Sequence, residues 1–189
     1  MFEKFMSAYE PVAESSDDDE FEFSDNFPSD FSNLIKECGG FSFKNGLYRT
    51  HTLKSCIRWG QIIGKFFPGY PGCWPFGYDW MGRQFCIHRS TGKAIYMFDP
   101  STGEDFTVQF DNISDFHNEG LVDGQKDLLS ESIFIEIRYL LNIKRISYND
   151  CLGYKIPLFL NGTDSIENYE LSNMEVYWEI QGQLFSQIK

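Results

Sequence analysis

Phe2, Phe5, Met6 and Tyr9 recur at three- and four-residue spacing, which predicts a short docking helix with one apolar face. The following stretch, 10–26 (EPVAESSDDDEFEFSDN), is polar and acidic with little to bury and reads as a loop. Phe27-Pro28-Ser29-Asp30 then has the form of a helix entry, with Phe31, Leu34, Ile35 and Cys38 as the apolar face and Gly39-Gly40 as the stop. In GGFSFKNGLYRT, residues 39–50, apolar and polar positions alternate on either side of Asn45-Gly46, a two-residue hairpin signal. Leu53, Cys56, Trp59, Ile63 and Phe67 return to the helical period until Pro68 ends it.

The run FPGYPGCWPFGYDWMG is dense in Pro, Gly and aromatic residues, so an irregular loop packed against a sheet is expected. Three short strands follow, at 84–88, 93–98 and 104–110, joined by Arg89-Ser90-Thr91-Gly92 and Asp99-Pro100-Ser101-Thr102-Gly103, which is turn chemistry suited to an antiparallel meander. Further on, 112–121 reads as a short capped helix, 130–143 as an apolar helix and 155–160 (KIPLFL) as strand-like. Ser172-Asn173-Met174-Glu175 has the form of a capping box before a last helix carrying Met174, Trp178 and Phe185. The fold class expected is α+β: a single domain whose antiparallel β-sheet, a hairpin plus a three-stranded meander, is packed by several helices.

Composition agrees with one folded unit. The chain has 189 residues, 42 % of them hydrophobic and 17 % aromatic, enough apolar surface for a sizeable core. No apolar run approaches the roughly 20 residues of a membrane span, and the first residues lack the basic and apolar regions of an export signal, so a cytoplasmic location is expected. Five widely spaced cysteines without a CxxC pair read as reduced, buried thiols.

The net charge of −12 is uneven. Met1 to Phe31 holds ten acids and one base, Ser32 to Phe66 one acid and six bases, and Asp164 to Gln181 five acids and no base. This balance disfavours direct nucleic-acid binding, which needs Lys/Arg clusters against phosphate. It favours a basic protein partner. The basic stretch is expected to face acids across the fold.

Signals for catalysis or cofactors are weak. The phosphate-cradling GxxxxGK[ST] and GxGxxG patterns and the GxSxG elbow do not occur. The three histidines, His51, His88 and His117, are too far apart to put two imidazoles on one helix face. Cys86 and His88 share a strand face, but alternation alone produces such pairs, and Asp99 is explained by its turn. The expectation is a non-enzyme with no cofactor and no metal.

Near the C-terminus, Asp150-Cys151-x-Gly153-Tyr154-x-x-Pro157, Leu160-x-Gly162 and Glu167-Asn168 ahead of the last helix resemble the C-terminal domain of type VI secretion immunity proteins, whose best-known members neutralise DNase effectors. The GGFSFKNGLYR block, the aromatic helix after it, FGYDWMG and IYMFDPSTGE resemble the N-terminal part of the same family, called GAD-like, and are similar to the SUKH superfamily. Together these blocks divide the chain into a short helix and acidic segment (1–26), a GAD-like or SUKH-like sheet part (27–125) and an immunity-type helical part (126–189) packed on the same domain. The resemblance implies an immunity protein that binds and neutralises a cognate type VI secretion toxin by stoichiometric inhibition; a nuclease (DNase) is the toxin expected, and the acidic charge balance makes it a basic one. The alternative is a SUKH-like regulatory or scaffold module without a dedicated toxin.

Charge and side-chain type single out where such a partner would be held. Asp17, Asp18, Asp19, Glu20 and Glu22, together with Asp164, Glu167 and Glu170, are the expected steering acids. Tyr70, Trp74, Tyr78 and Trp80 are the expected anchors, because interface hot spots favour Trp and Tyr, and the opposing reading makes these aromatics core.

Overall fold

A computed structural model describes residues 1–15, 27–88, 93–123 and 127–188. The N-terminal periodicity becomes helix α1 (Glu3–Ala8), held by Phe2, Phe5 and Tyr9, which are all buried. β1 (Pro11–Ala13) follows it within the stretch expected to be loop. Its three side chains are all exposed, so no alternation marked it; pairing with β2 makes it a strand. Pro28 precedes α2 (Ser29–Cys38), whose buried face is Phe31, Leu34 and Cys38. β2 (Phe41–Phe43) and β3 (Tyr48–Thr50) form the expected hairpin, but their link is a tight 3₁₀ turn at Lys44–Gly46 in which Lys44 and Asn45 take positive φ. α3 (Leu53–Phe66) begins at Thr52, whose side chain accepts from Ser55 N, and stops before Pro68.

The largest departure from the sequence reading is β4 (Cys73–Asp79), a fully buried strand where an irregular loop was expected. Pro75 and Gly77 suppress the strand signal, and a register shift between them accommodates both. Gly77 is required there, because the Tyr48 ring fills the position a Cβ would take. β5 (Gln84–His88), β6 (Ile95–Asp99) and β7 (Glu104–Val108) are the expected meander, and the turn at 89–92 lies outside the described residues.

All seven strands form one sheet in the order β1 to β7, each antiparallel to its chain neighbour. Phe76, Phe85, Ile87 and Ile95 face a core shared with α1, α2 and the segment made of α4 (Ile113–Asp115) and the π turn Phe116–Leu121. Tyr78, Cys86 and Phe98 face a second core under α3 and the last helix, α6 (Met174–Ser186). α5 (Glu131–Leu140) packs Phe134 against Trp80.

β8 (Asp150–Tyr154) and β9 (Tyr169–Asn173) make a separate two-stranded sheet. The expected strand at 155–160 is instead a 3₁₀ turn at Leu158–Leu160, entered from Pro157. The cap of α6 is Asn173, which accepts from Val176 N, in place of the expected Ser172.

Residues 79–83 tie these parts together. Asp79 accepts from Arg83 Nε at 2.5 Å and from the backbone N–H groups of Met81 and Arg83. Arg83 also donates to Leu128 O, Trp80 to Leu129 O, and Trp178 to Gly82 O. Leu152 N donates to Trp80 O, which carries β8. Arg49, fully buried on β3, donates to Asp79 O, Ser147 O and Asp150 O and lies over the Tyr78 ring. Other bases of the 32–66 stretch do meet acids across the fold, in the pairs Lys44–Glu131 and Arg58–Glu175.

Candidate partner-binding face

The thiols and two of the histidines are sealed inside. All five cysteines are free and buried, and burial pushes the Cys38 thiol up to about 12 and, with help from the Asp105 charge, the Cys73 thiol up to about 11. Cys86 is raised well above the usual thiol range by burial, so it stays protonated and is no nucleophile as placed. His51 is fully buried; Gln84 Oε1 accepts from its Nε2 at 2.9 Å, leaving Nδ1 to accept from the Ser55 hydroxyl. His117 donates from Nδ1 to Ile113 O at 2.7 Å, so Nε2 accepts from the Tyr48 hydroxyl at 3.0 Å. Phe2, Phe5, Phe76 and Phe116 surround it. Burial lowers His51 to about 3 and His117 to about 4, which keeps both neutral. Among the described residues, no group of three His, Cys, Asp or Glu side chains could hold a metal ion.

The expected anchors separate into two kinds. Trp74, Tyr78 and Trp80 are buried, which corrects the reading of them as surface anchors. Trp74 stacks on Phe27, Tyr78 donates to Tyr148 O and Trp80 to Leu129 O. The Pro/Gly-rich run folds inward as β4, and their rings go with it. Tyr70 alone remains half-exposed, packed on Tyr96 and Phe98 with its hydroxyl donating to the Asp105 carboxylate.

Of the expected acids, 17–22 lie outside the described residues. Asp164 is exposed but already engaged, since its Oδ1 accepts from both Tyr154 at 2.6 Å and Tyr169 at 2.9 Å. Glu167 and Glu170 are exposed.

The structure draws attention to acids that sequence reasoning passed over. Residues 94–125 contain seven carboxylates and no Lys or Arg, and of these Glu104, Asp105, Asp111, Asp115, Glu119 and Asp123 are exposed. A sliding charge count along the chain would have found them; spread over 32 residues, they formed no visible run. Residues 156–188 likewise hold five acids and no base.

The two tracts touch at the β6–β7 turn. Phe185 on α6 packs against Phe66 and Phe159, and its ring occupies the place a Cβ on Gly103 would need in the β6–β7 turn. Phe67 joins Phe98 to Trp178, and Tyr70 continues the contact to Asp105. Between α3 and α6 lies an open cleft of about 470 Å³ with Phe66, Trp178 and Phe185 in its walls, Lys65 on one rim and Glu175 and Glu179 on the other. Val176 and Ile180 are half exposed on α6. The face therefore combines apolar and aromatic groups with carboxylates, the mixture that a basic, partly apolar protein surface complements.

No family model matches the chain, and no curated protein matches it. Among solved structures, the crystal structure of Atu4351 from Agrobacterium tumefaciens is similar with a TM-score of 0.68 at 12 % identity, over 97 % of this chain and 89 % of that one. That likeness is one of fold.

Proposed function

We propose that the protein is a cytoplasmic immunity protein that binds a cognate type VI secretion toxin, a basic nuclease domain, and neutralises it by occupying its surface. The observation that carries this reading is the joined face of β7, α6 and the α3–α6 cleft, where exposed carboxylates lie beside half-buried Phe185 and Tyr70 and exposed Val176 and Ile180. The block resemblance at 150–168 and 76–82 supports the immunity role. Binding in place of turnover is supported by the state of the candidate catalytic groups, namely protonated buried thiols and neutral buried imidazoles already committed to hydrogen bonds. No helix is long and apolar enough to cross a membrane.

Co-expression with a toxin-domain protein encoded beside this chain tests the proposal. Survival of the cells and a one-to-one complex on purification are expected; toxicity undiminished by a well-expressed, folded chain would overturn it. Within such a complex, the triple substitution Glu104→Gln, Asp105→Asn and Glu179→Gln should slow association about tenfold at low ionic strength and leave dissociation nearly unchanged, because peripheral charges act on encounter. Stopped-flow rates at two salt concentrations measure this. Equal association rates for variant and wild type at low salt would move the contact to another face.

A further inference from the structure

Among the described residues, β7 is an outer strand of the seven-stranded sheet and pairs with β6 alone. A strand with one face in the core alternates buried and exposed residues, but here Glu104, Asp105, Phe106 and Thr107 are exposed in succession. Both faces of its first four residues thus lie outside the helical layers. The outward-turned backbone groups of such a strand are a template for another strand. The other outer strand of this sheet is blunted. β1 has three residues and begins at Pro11, which has no N–H to offer. β7 has five residues and contains neither Pro nor Gly.

Charge decides the occupant. A second copy of β7, paired antiparallel about Phe106, would gather four carboxylates and no base in one five-residue ladder, which like-charge repulsion disfavours. A Lys- or Arg-bearing strand meets those acids instead, within a tract that holds no base from residue 94 to 125. Apolar supports flank the edge on both faces. Phe106 pairs across the ladder with half-buried Met97, and Tyr70 and Tyr96 lie on the face that carries Asp105. Alternate side chains of an added strand would rest on these groups.

We propose that β7 receives an extended basic segment of the partner protein as an eighth strand, main-chain pairing supplying affinity and Glu104 and Asp105 selecting the charge. This rests on the binding function proposed above and adds the mode of contact.

The probe is an acetylated eight-residue peptide of alternating Lys and Val, titrated into the full chain labelled with ¹⁵N. Its control is the same peptide N-methylated at every residue, which keeps charge and side chains but has no N–H to donate from either edge. The outward-facing amides within Asp105–Val108 are expected to gain about tenfold or more in hydrogen-exchange protection with the first peptide and none with the second. Equal protection by both peptides, perturbation confined to α6, or no binding would each overturn the proposal. The same exchange measurement on a purified toxin complex separates the two levels: a stable complex with β7 amides unprotected rejects strand addition while leaving the binding function standing.

Discussion

Replacing Asp79 with Ala should lower the unfolding free energy by about 3–5 kcal/mol, the cost of stranding one partner of a buried ion pair. Asp79 is fully buried and its partner Arg83 nearly so, with 12 % of the Arg side chain exposed. The carboxylate also caps the turn by accepting from Met81 N and Arg83 N. Without it the guanidinium keeps Leu128 O and the charge of nearby Asp99 but loses its direct partner, and two backbone donors lose their acceptor. The effect should reach beyond the turn, because neighbouring Trp80 and Gly82 hold Leu129, β8 and Trp178. Asp79→Asn keeps an acceptor for those N–H groups and should cost less than the Ala variant. Chemical denaturation of the three proteins measures the difference, and a loss below about 1 kcal/mol for Asp79→Ala would show that the pair does not organise the fold.

Acid should destabilise the protein already between about pH 6.5 and 5. His51 and His117 have folded values lowered by burial to about 3 and about 4, against an unfolded value of roughly 6.5. The unfolded chain therefore binds protons first as pH falls. The stability that depends on the neutral imidazoles is fully present above about pH 6.5 and is lost progressively toward pH 4 and 3. By pH 5 each histidine accounts for about 2 kcal/mol, or about 4 kcal/mol for the pair relative to pH 8. Geometry agrees with the direction of both shifts. Protonating His117 would set an N–H against the Tyr48 hydroxyl inside an aromatic cage, and protonating His51 would add a cation near Arg49. Urea midpoints at pH 8, 6 and 5 test this, and His117→Gln should reduce the slope between pH 6.5 and 5 by about half even though it is less stable at pH 8. A wild-type protein equally stable at pH 8 and pH 5 would contradict it.

The blocks that carry the family resemblance turn out to work mainly inside the fold. In FGYDWMG, Tyr78 and Trp80 are buried donors, Gly77 makes room for Tyr48, and Asp79 caps the turn. In the C-terminal block, Asp150 O receives Arg49 and Tyr154 bonds Asp164. Asn168 closes the 156–168 loop, accepting from Ile156 N and donating to Ile156 O and Thr163 O. Residues of this kind specify an architecture and leave the surface free to vary.

From sequence alone, the α+β class, the meander, and the helices at 29–38, 53–66 and 174–186 were legible, because each depends on short-range periodicity and on caps and breakers a few residues apart. The acidity of residues 164–181 was equally plain, being a matter of composition. Other features depended on pairing between distant segments. β1 is a strand only because Phe41–Phe43 pairs with it, and β4 only because β3 and β5 enclose it and a bulge absorbs Pro75 and Gly77. The inward turn of Trp74, Tyr78 and Trp80, and the docking of α6 on the β6–β7 turn through Phe185 and Gly103, follow from the same long-range packing. Local pattern reports which residues can share a face; only tertiary contact decides whether that face meets the core, another strand or solvent.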